Sequence, residues 1–202
     1  MMHRLRFMFA APALNKPLRG IVEVDETFVG GKLSNKRQHL PNFDRFKYYK
    51  GKNFKGDVKD IVVGAVARDG RVITRVINAV SKENLFQFIK DNIKNGTMVV
   101  TDELQQYKAL PKEGYKHNFV RHGVRQYIKG NAHTNTIEGF WGLFKRSIIG
   151  IYHHVSSKHL QRYTTETSFR YNTRKIDEKQ RFNVALKMCE GRLKFNELIA
   201  EK

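Results

Sequence analysis

Between residues 20 and 101 the apolar residues change period in a fixed order, and that order leaves few folds open. The segment "GIVEVDETFV" (20–29) alternates with period two and stops at Gly30-Gly31, which serves the turn, so it predicts a strand. Two more strands, "DIVVGAVA" (60–67) and "RVITRVINA" (71–79), flank Arg68-Asp69-Gly70, a hairpin signal. The period then shifts to that of a helix over 82–94, with Ser81 as its cap, Leu85, Phe88, Ile89 and Ile93 as its apolar stripe, and Asn95-Gly96 as its end. A fourth strand, "TMVVT", follows at 97–101. This β-β-β-α-β order predicts an α/β fold on a mixed sheet, because the helical crossover brings the last strand parallel to a neighbour. A short helix from Tyr107 to Leu110, ended by Pro111, and an edge strand in "HNFVRH" (117–122) complete the expected sheet.

Chemistry is carried by three acids on these elements. Period two sets Glu23, Asp25 and Thr27 on one face of the first strand and Val22, Val24 and Phe28 on the other. An acid inside a strand faces solvent or needs a partner or an ion. Asp102 stands at the carboxyl end of the fourth strand; if that strand lies beside the first, Asp25 and Asp102 come from neighbours. The stretch 130–151, "GNAHTNTIEGFWGLFKRSIIGI", reads as an amphipathic helix. Ile137, Trp141, Phe144 and Ile148 form its core stripe. Glu138, Gly142 and Lys145 form a second stripe, a trough with charge at both ends, and Asn135 lies one turn earlier on the same side. Thirty-five residues separate Asp102 from Glu138. Three converging carboxylates repel unless a divalent cation joins them, and hard oxygen ligands suit Mg²⁺ or Mn²⁺. Two such ions, roughly 3.5–4 Å apart, are suited to a phosphodiester, with Lys145 on a nearby phosphate.

Charge narrows the partner. In 202 residues, 38 Lys and Arg oppose 19 Asp and Glu, a formal net charge of +19. Such an excess points to a polyanion, most simply DNA, bound with counterion release. The single cysteine, Cys189, excludes an internal disulfide and a cysteine-rich zinc site. No apolar run is long enough to span a membrane, and no membrane partner is expected. The opening "MMHRLRFMFAAPALNKP" mimics a short signal peptide, but Pro12 breaks its apolar patch, so a fragment of a preceding helix is the reading preferred. Residues 32–59 form a long basic loop in which Lys32, Lys36 and Arg37 accompany Phe43, Phe46, Tyr48, Tyr49 and Phe54, a mixture suited to phosphate contact and stacking. From Ser157 on, the chain reads as a basic helical tail. His153-His154 suits DNA contact or packing better than metal ligation. His159 to Arg162 matches the HxxR of tyrosine recombinases, with Tyr171 too close to serve as nucleophile.

The stretches "VEVDETFVGGK", "VTDELQQYKAL" and "HTNTIEGFWGLFKRSIIGIYHHVSSKHLQRY…FRYNTR" closely resemble DDE-class transposases of bacterial insertion sequences, in the group with an ISXO2-like catalytic domain. The resemblance covers about residues 18–175. It implies a ribonuclease-H-like fold and Mg²⁺-dependent cut-and-join chemistry at transposon ends, by a homo-oligomer on DNA in the bacterial cytoplasm. It implies Asp25 and Asp102 as the first two metal ligands, Glu138 or Asn135 as the third member, and Lys145 as the trailing lysine. DNA contacts are expected from Lys32, Lys36, Arg37, Asn135, Lys145, Arg146, His153, His154 and Arg162. Full-length relatives carry an upstream zinc ribbon and a helical DNA-recognition region. Residues 1–17 are accordingly read as a remnant of that region, 18–155 as the catalytic domain and 156–202 as a helical extension. The rival readings are a catalytically silent, truncated DNA-binding remnant and a nuclease without strand transfer.

Overall fold

The computed structural model describes residues 2–10, 16–30, 59–120, 133–189 and 194–199. Lys32, Lys36, Arg37 and nearly all of the basic loop, like the segment 121–132, lie outside the described residues. Five strands form one mixed sheet: β1 (Ile21–Val29), β2 (Asp60–Ala67), β3 (Val72–Ile77), β4 (Met98–Thr101) and β5 (Lys116–Phe119), in the order β3-β2-β1-β4-β5. The helices are α1 (Met2–Met8), α2 (Lys82–Asn92), α3 (Asn135–Ser147), α4 (Ser157–Asn172), α5 (Glu178–Leu186) and α6 (Phe195–Ile199). A 3₁₀ helix spans Gln105–Glu113, and a π-helical turn, Ile148–Tyr152, continues α3.

β1, β2 and β3 are antiparallel, joined at the β2–β3 hairpin by Gly70 at φ 100°. After α2 the chain returns as β4, parallel to β1, and β5 is parallel to β4. This is the ribonuclease-H-like arrangement. Ser81 caps α2 as expected, accepting from the Asn84 N–H at 3.3 Å. The segment around Tyr107 is longer and tighter than expected. It is a 3₁₀ helix that contains Pro111, because a 3₁₀ turn tolerates a missing N–H where a long α-helix would break.

The central strand β2 is buried on both faces, which explains its unbroken apolar run. On one side Ile61, Val63 and Ala65 join Val22 and Val24 against Leu85, Phe88 and Ile89 of α2. On the other, Val62 and Val66 meet Ile137, Phe140, Trp141 and Phe144 of α3 and Leu160 of α4. Each fully buried apolar side chain contributes about 1.5–3 kcal/mol, so the two helix faces clamp the sheet. Gly64 is required between them: a Cβ there would lie 2.7 Å from the Trp141 ring.

α4 is more than the start of a tail, since it closes the open edge of the sheet. Gln161 accepts from the Val76 N–H at 2.8 Å, and Asn172 both accepts from Val72 N–H at 2.7 Å and donates to its carbonyl at 2.9 Å. Side-chain amides thus satisfy an edge strand that would otherwise invite pairing. α1 docks on α4 through a buried pair, Arg6 Nε to Glu166 Oε2 at 2.7 Å, with the guanidinium 3.9 Å from the Tyr163 ring centroid.

α3 is held by Glu23. Its side chain is fully buried in β1 and accepts from the backbone N–H of Thr136 (2.9 Å) and Ile137 (3.0 Å) and from Thr136 Oγ1 (2.8 Å). Arg68 Nε lies 3.5 Å from the same carboxylate. The otherwise unpaired amides at a helix start are a ready site for a carboxylate. Replacing Glu23 by Ala leaves those amides without their acceptor and removes the ion pair with Arg68, and unfolding free energy is expected to drop by about 3 kcal/mol or more. Chemical denaturation of the two proteins measures it; a loss under a tenth of that would show that Glu23 does not hold α3.

Candidate active site

The parallel pairing of β1 with β4 sets the first two acids side by side. Glu23 stands opposite Val100, so the same register carried two residues further sets Asp25 opposite Asp102. Both are half-buried, just beyond the point where β4 ends. Asp102 is held at the strand end by a local turn in which the Leu104 N–H donates to its Oδ1 at 3.1 Å. Thr101 Oγ1, which donates to the Asp102 carbonyl at 2.7 Å, also lies 3.0 Å from His117 Nε2 of β5. Burial pushes the His117 imidazole below its usual range.

The third acid arrives on α3. Glu138 is exposed one turn after the N-cap Thr134, whose hydroxyl donates to Glu138 Oε1 at 2.8 Å. Trp141, one further turn along and almost fully buried, donates from Nε1 to Asp25 Oδ2 at 3.0 Å. The expected core stripe is therefore correct for Ile137, Trp141 and Phe144, and Phe140 joins it. The indole adds a polar duty that its apolar spacing does not reveal.

Asp25 is raised to about 6, first by burial, then by the negative charges of Asp102 and Glu138; the bond from Trp141 offsets part of the rise. Asp25 thus senses both of the other carboxylates. As placed, no three His, Cys, Asp or Glu side chains among the described residues are grouped closely enough to hold a metal ion. A fourth acid was not anticipated as part of this neighbourhood. Glu26 points to the other face of β1, where the Tyr107 hydroxyl donates to its Oε1 at 2.6 Å. Burial first, with Asp25 and Asp102 adding, raises it to about 8.

Around these acids the other expected residues fall into two groups. Asn135, Lys145, Arg146, His153 and His154 are exposed, on α3 or just after it. Among the described residues nothing lies within 4 Å of a Cβ added at Gly142, between Glu138 and Lys145. Arg162 is half-buried instead, and its charge acts on His3 of α1 and His159, lowering both imidazoles after burial has done so. The rings of His3 and His159 lie with centroids 4.4 Å apart, tilted by 44°. The only sequence signal for Glu23 was a second acid two residues before Asp25 on the same strand face.

The raised acids fix the sign of a pH dependence in metal-free buffer. The unfolded chain ionises Asp25 near 3.8 and Glu26 near 4.5, whereas the folded chain keeps their protons up to about 6 and about 8. The folded state therefore binds more protons across that window, and stability is lost as pH rises through it. Thermal melts in a chelator at pH 5 and pH 8 are expected to show the decline, and Asp25→Asn is expected to flatten its lower half. A pH-independent melting temperature would contradict the burial assigned to both groups.

Relatives are found among mobile-element proteins. Over 144 residues the chain is 27% identical to a protein in transposable element ISH50 of Halobacterium salinarum, covering 70% of this chain and 49% of the relative. The chain thus spans about half the length of that relative. Over 123 residues it is 24% identical to a transposase-like protein of Haemophilus influenzae, covering 61% of this chain and 97% of the relative. Among solved structures, the HTLV-2 integrase catalytic core domain in complex with magnesium aligns with 84% of this chain and 97% of its own, at 10% identity and a TM-score of 0.43. Residues 17–172 match the ISXO2-like transposase domain, from just before β1 to the end of α4, and the chain belongs to that family.

Proposed function

We propose that the chain is the catalytic domain of a DDE transposase, cleaving phosphodiesters at the ends of an insertion sequence and joining them to target DNA. The observation that supports this most is the shared electrostatics of Asp25, Asp102 and Glu138, drawn from two neighbouring strands and a helix pinned to one of them. In this reading Asp25, Asp102 and Glu138 are the ligands of Mg²⁺ or Mn²⁺. The donor set fits: oxygen ligands among which Asp25 is raised to about 6, first by burial and then by the charges of Asp102 and Glu138, with Cys189 far away in sequence on the C-terminal side. Bound there, divalent cations supply the positive charge that activates the attacking oxygen and stabilises the leaving one.

The chain's own residues do the rest. Trp141 aims Asp25 through its indole N–H, and Thr134 holds Glu138. Glu138 is preferred to Asn135 as third ligand because its charge reaches Asp25. Gly142 leaves room for a strand, and Lys145 and Arg146, both exposed, take its phosphates. Lys32, Lys36 and Arg37 of the basic loop, with His153 and His154, extend this contact. Arg162 is half-buried, its charge reaching His3 of α1 and His159, and is the least accessible of the expected contacts among the described residues. No helix among the described residues is long and apolar enough to cross a membrane; action on DNA in the bacterial cytoplasm, as a homo-oligomer, belongs to the same proposal.

Labelled duplexes from the ends of the element, incubated with the purified chain and Mg²⁺ or Mn²⁺, are expected to be nicked and then joined to a target plasmid. Asp25→Asn and Asp102→Asn are each expected to lower nicking by about a thousandfold or more. Mg²⁺ is expected to raise the melting temperature of the native chain at pH 8 but not that of either variant. Salt-sensitive binding without cleavage would instead identify a silent DNA-binding remnant. Gly142→Ala provides a separate check: it gains about 1 kcal/mol in helix propensity and its Cβ meets nothing within 4 Å among the described residues, yet it is expected to slow nicking. Unchanged nicking by this variant would remove the trough from the DNA path.

A further inference from the structure

The most exposed isoleucines among the described residues lie where the site helix ends. Ile149 is 72% and Ile151 69% accessible, and both belong to the π-helical turn that continues α3. Such turns are uncommon and gather at functional sites. The turn is anchored at both ends. Phe144 is fully buried and Ile148 packs beside it on one side. On the other, the Tyr152 hydroxyl donates to buried Glu166 at 3.1 Å and its ring meets Tyr163 edge-on at 4.7 Å. The chain then reverses abruptly at His153, a non-glycine residue at φ 56°, ψ −43°, with the His154 N–H donating back to the Tyr152 carbonyl at 2.6 Å. This is a γ-turn of the strained hand. Backbone strain of this kind persists where the surroundings enforce it and collects at sites of function.

The direction and charge of the turn decide what it meets. On a helix, positions 138, 142, 145 and 149 share one face, so Ile149 extends the stripe of Glu138, Gly142 and Lys145. Eleven residues at 1.5 Å each put it about 16 Å beyond Glu138, or about five base-pair steps of duplex. No Asp or Glu occurs between Glu138 and Glu166, whereas Lys145, Arg146, Lys158 and Arg162 all do. A second copy meeting this tip symmetrically would set like charges face to face. A polyanion with an apolar interior fits instead, and duplex DNA is both.

We propose that Ile149 is an apolar wedge that enters a base step of the bound duplex, about five pairs from the bond being cut, and unstacks it, with Ile151, two residues on, widening the apolar tip on its other side. Isoleucine is among the side chains used in this way, and flanking cations hold the phosphates on either side. A wedge mounted on a pinned, strained turn is already in its bound shape, so little ordering is lost on contact. The inference rests on the DNA-cleaving role proposed above.

The test uses the full chain and end duplexes carrying 2-aminopurine at successive positions, first without Mg²⁺. A fluorescence rise confined to one or two positions is expected on binding. Ile149→Ala/Ile151→Ala, at exposed positions that leave the fold intact, is expected to abolish the rise while anisotropy shows binding retained. Nicking of paired ends by this variant should fall by about tenfold or more, and a mismatch at the affected step should restore it. A rise that survives the double substitution overturns the wedge, as does nicking that no mismatch rescues. A change of oligomeric state in the variant, with base stacking unaltered, overturns it in favour of a contact between copies. Failure of the unsubstituted chain to bind DNA refutes the underlying reading, whereas binding and nicking without any fluorescence rise refute the wedge alone.

Discussion

Everything at the site depends on a carboxylate that never meets water. Glu23 is buried in β1, where an isolated charge would be prohibitive. Its cost is met by the amides of Thr136 and Ile137, the Thr136 hydroxyl and the nearby Arg68. The bond is also a ruler. Asp25 is two residues from Glu23 on the strand, and Glu138 is two residues from Thr136 on the helix. Joining 23 to 136 therefore brings 25 and 138 into one neighbourhood. The second fixing point is Trp141, which fits over Gly64 only because that residue has no Cβ, and from there reaches Asp25, the cross-strand partner of Gly64.

Two acids on one strand face meet opposite fates for a local reason. Glu23 receives helix amides and a guanidinium. Asp25 is raised to about 6 by burial and by the fields of Asp102 and Glu138, which outweigh a backbone hydrogen bond at Glu26 and the indole N–H of Trp141. The folded chain thus places a guanidinium beside Glu23 and Glu166, while burial and two like charges raise the affinity of Asp25 for its proton. A carboxyl perturbed in this way in a protein of +19 marks a candidate functional site, and in the proposed reading an external cation takes the place of that proton.

How much of this could be read from the residues follows from how local each cause is. The alternation in β1, the hairpin at Arg68-Asp69-Gly70 and the Ser81 cap are written in neighbouring residues, and each appears where expected. The pairing of β1 with β4 was also accessible, because a crossover helix constrains where the next strand can go. Glu23 was not legible as a helix anchor, since its partners lie more than 110 residues away. Nor was the end of α3. Ile148, Ile149 and Ile151 continue an apolar run, and periodicity does not distinguish an α-turn from a π-turn. The edge-closing amides of Gln161 and Asn172 looked like ordinary polar residues of a helical tail.

The sheet also explains why the site opens where it does. β1 runs on to Val29, but β4 stops at Thr101, so the parallel partner ends while the antiparallel one, β2, continues alongside. At that step Asp25 keeps Gly64 as its neighbour on one side, and on the other it meets the turn at Asp102 instead of a strand. β1 is moreover the strand where the sheet changes from antiparallel to parallel pairing. Crevices in open sheets form at the carboxyl ends of strands where connections diverge. β2 buries both faces against α2 and α3, leaving no space there, and the outer edge of β3 is sealed by α4. In the proposed reading, a polymer as stiff as duplex DNA approaches from the side of Asp102 and the exposed face of α3. On that side the missing side chain of Gly142 and the acid-free run after Glu138 lie in line.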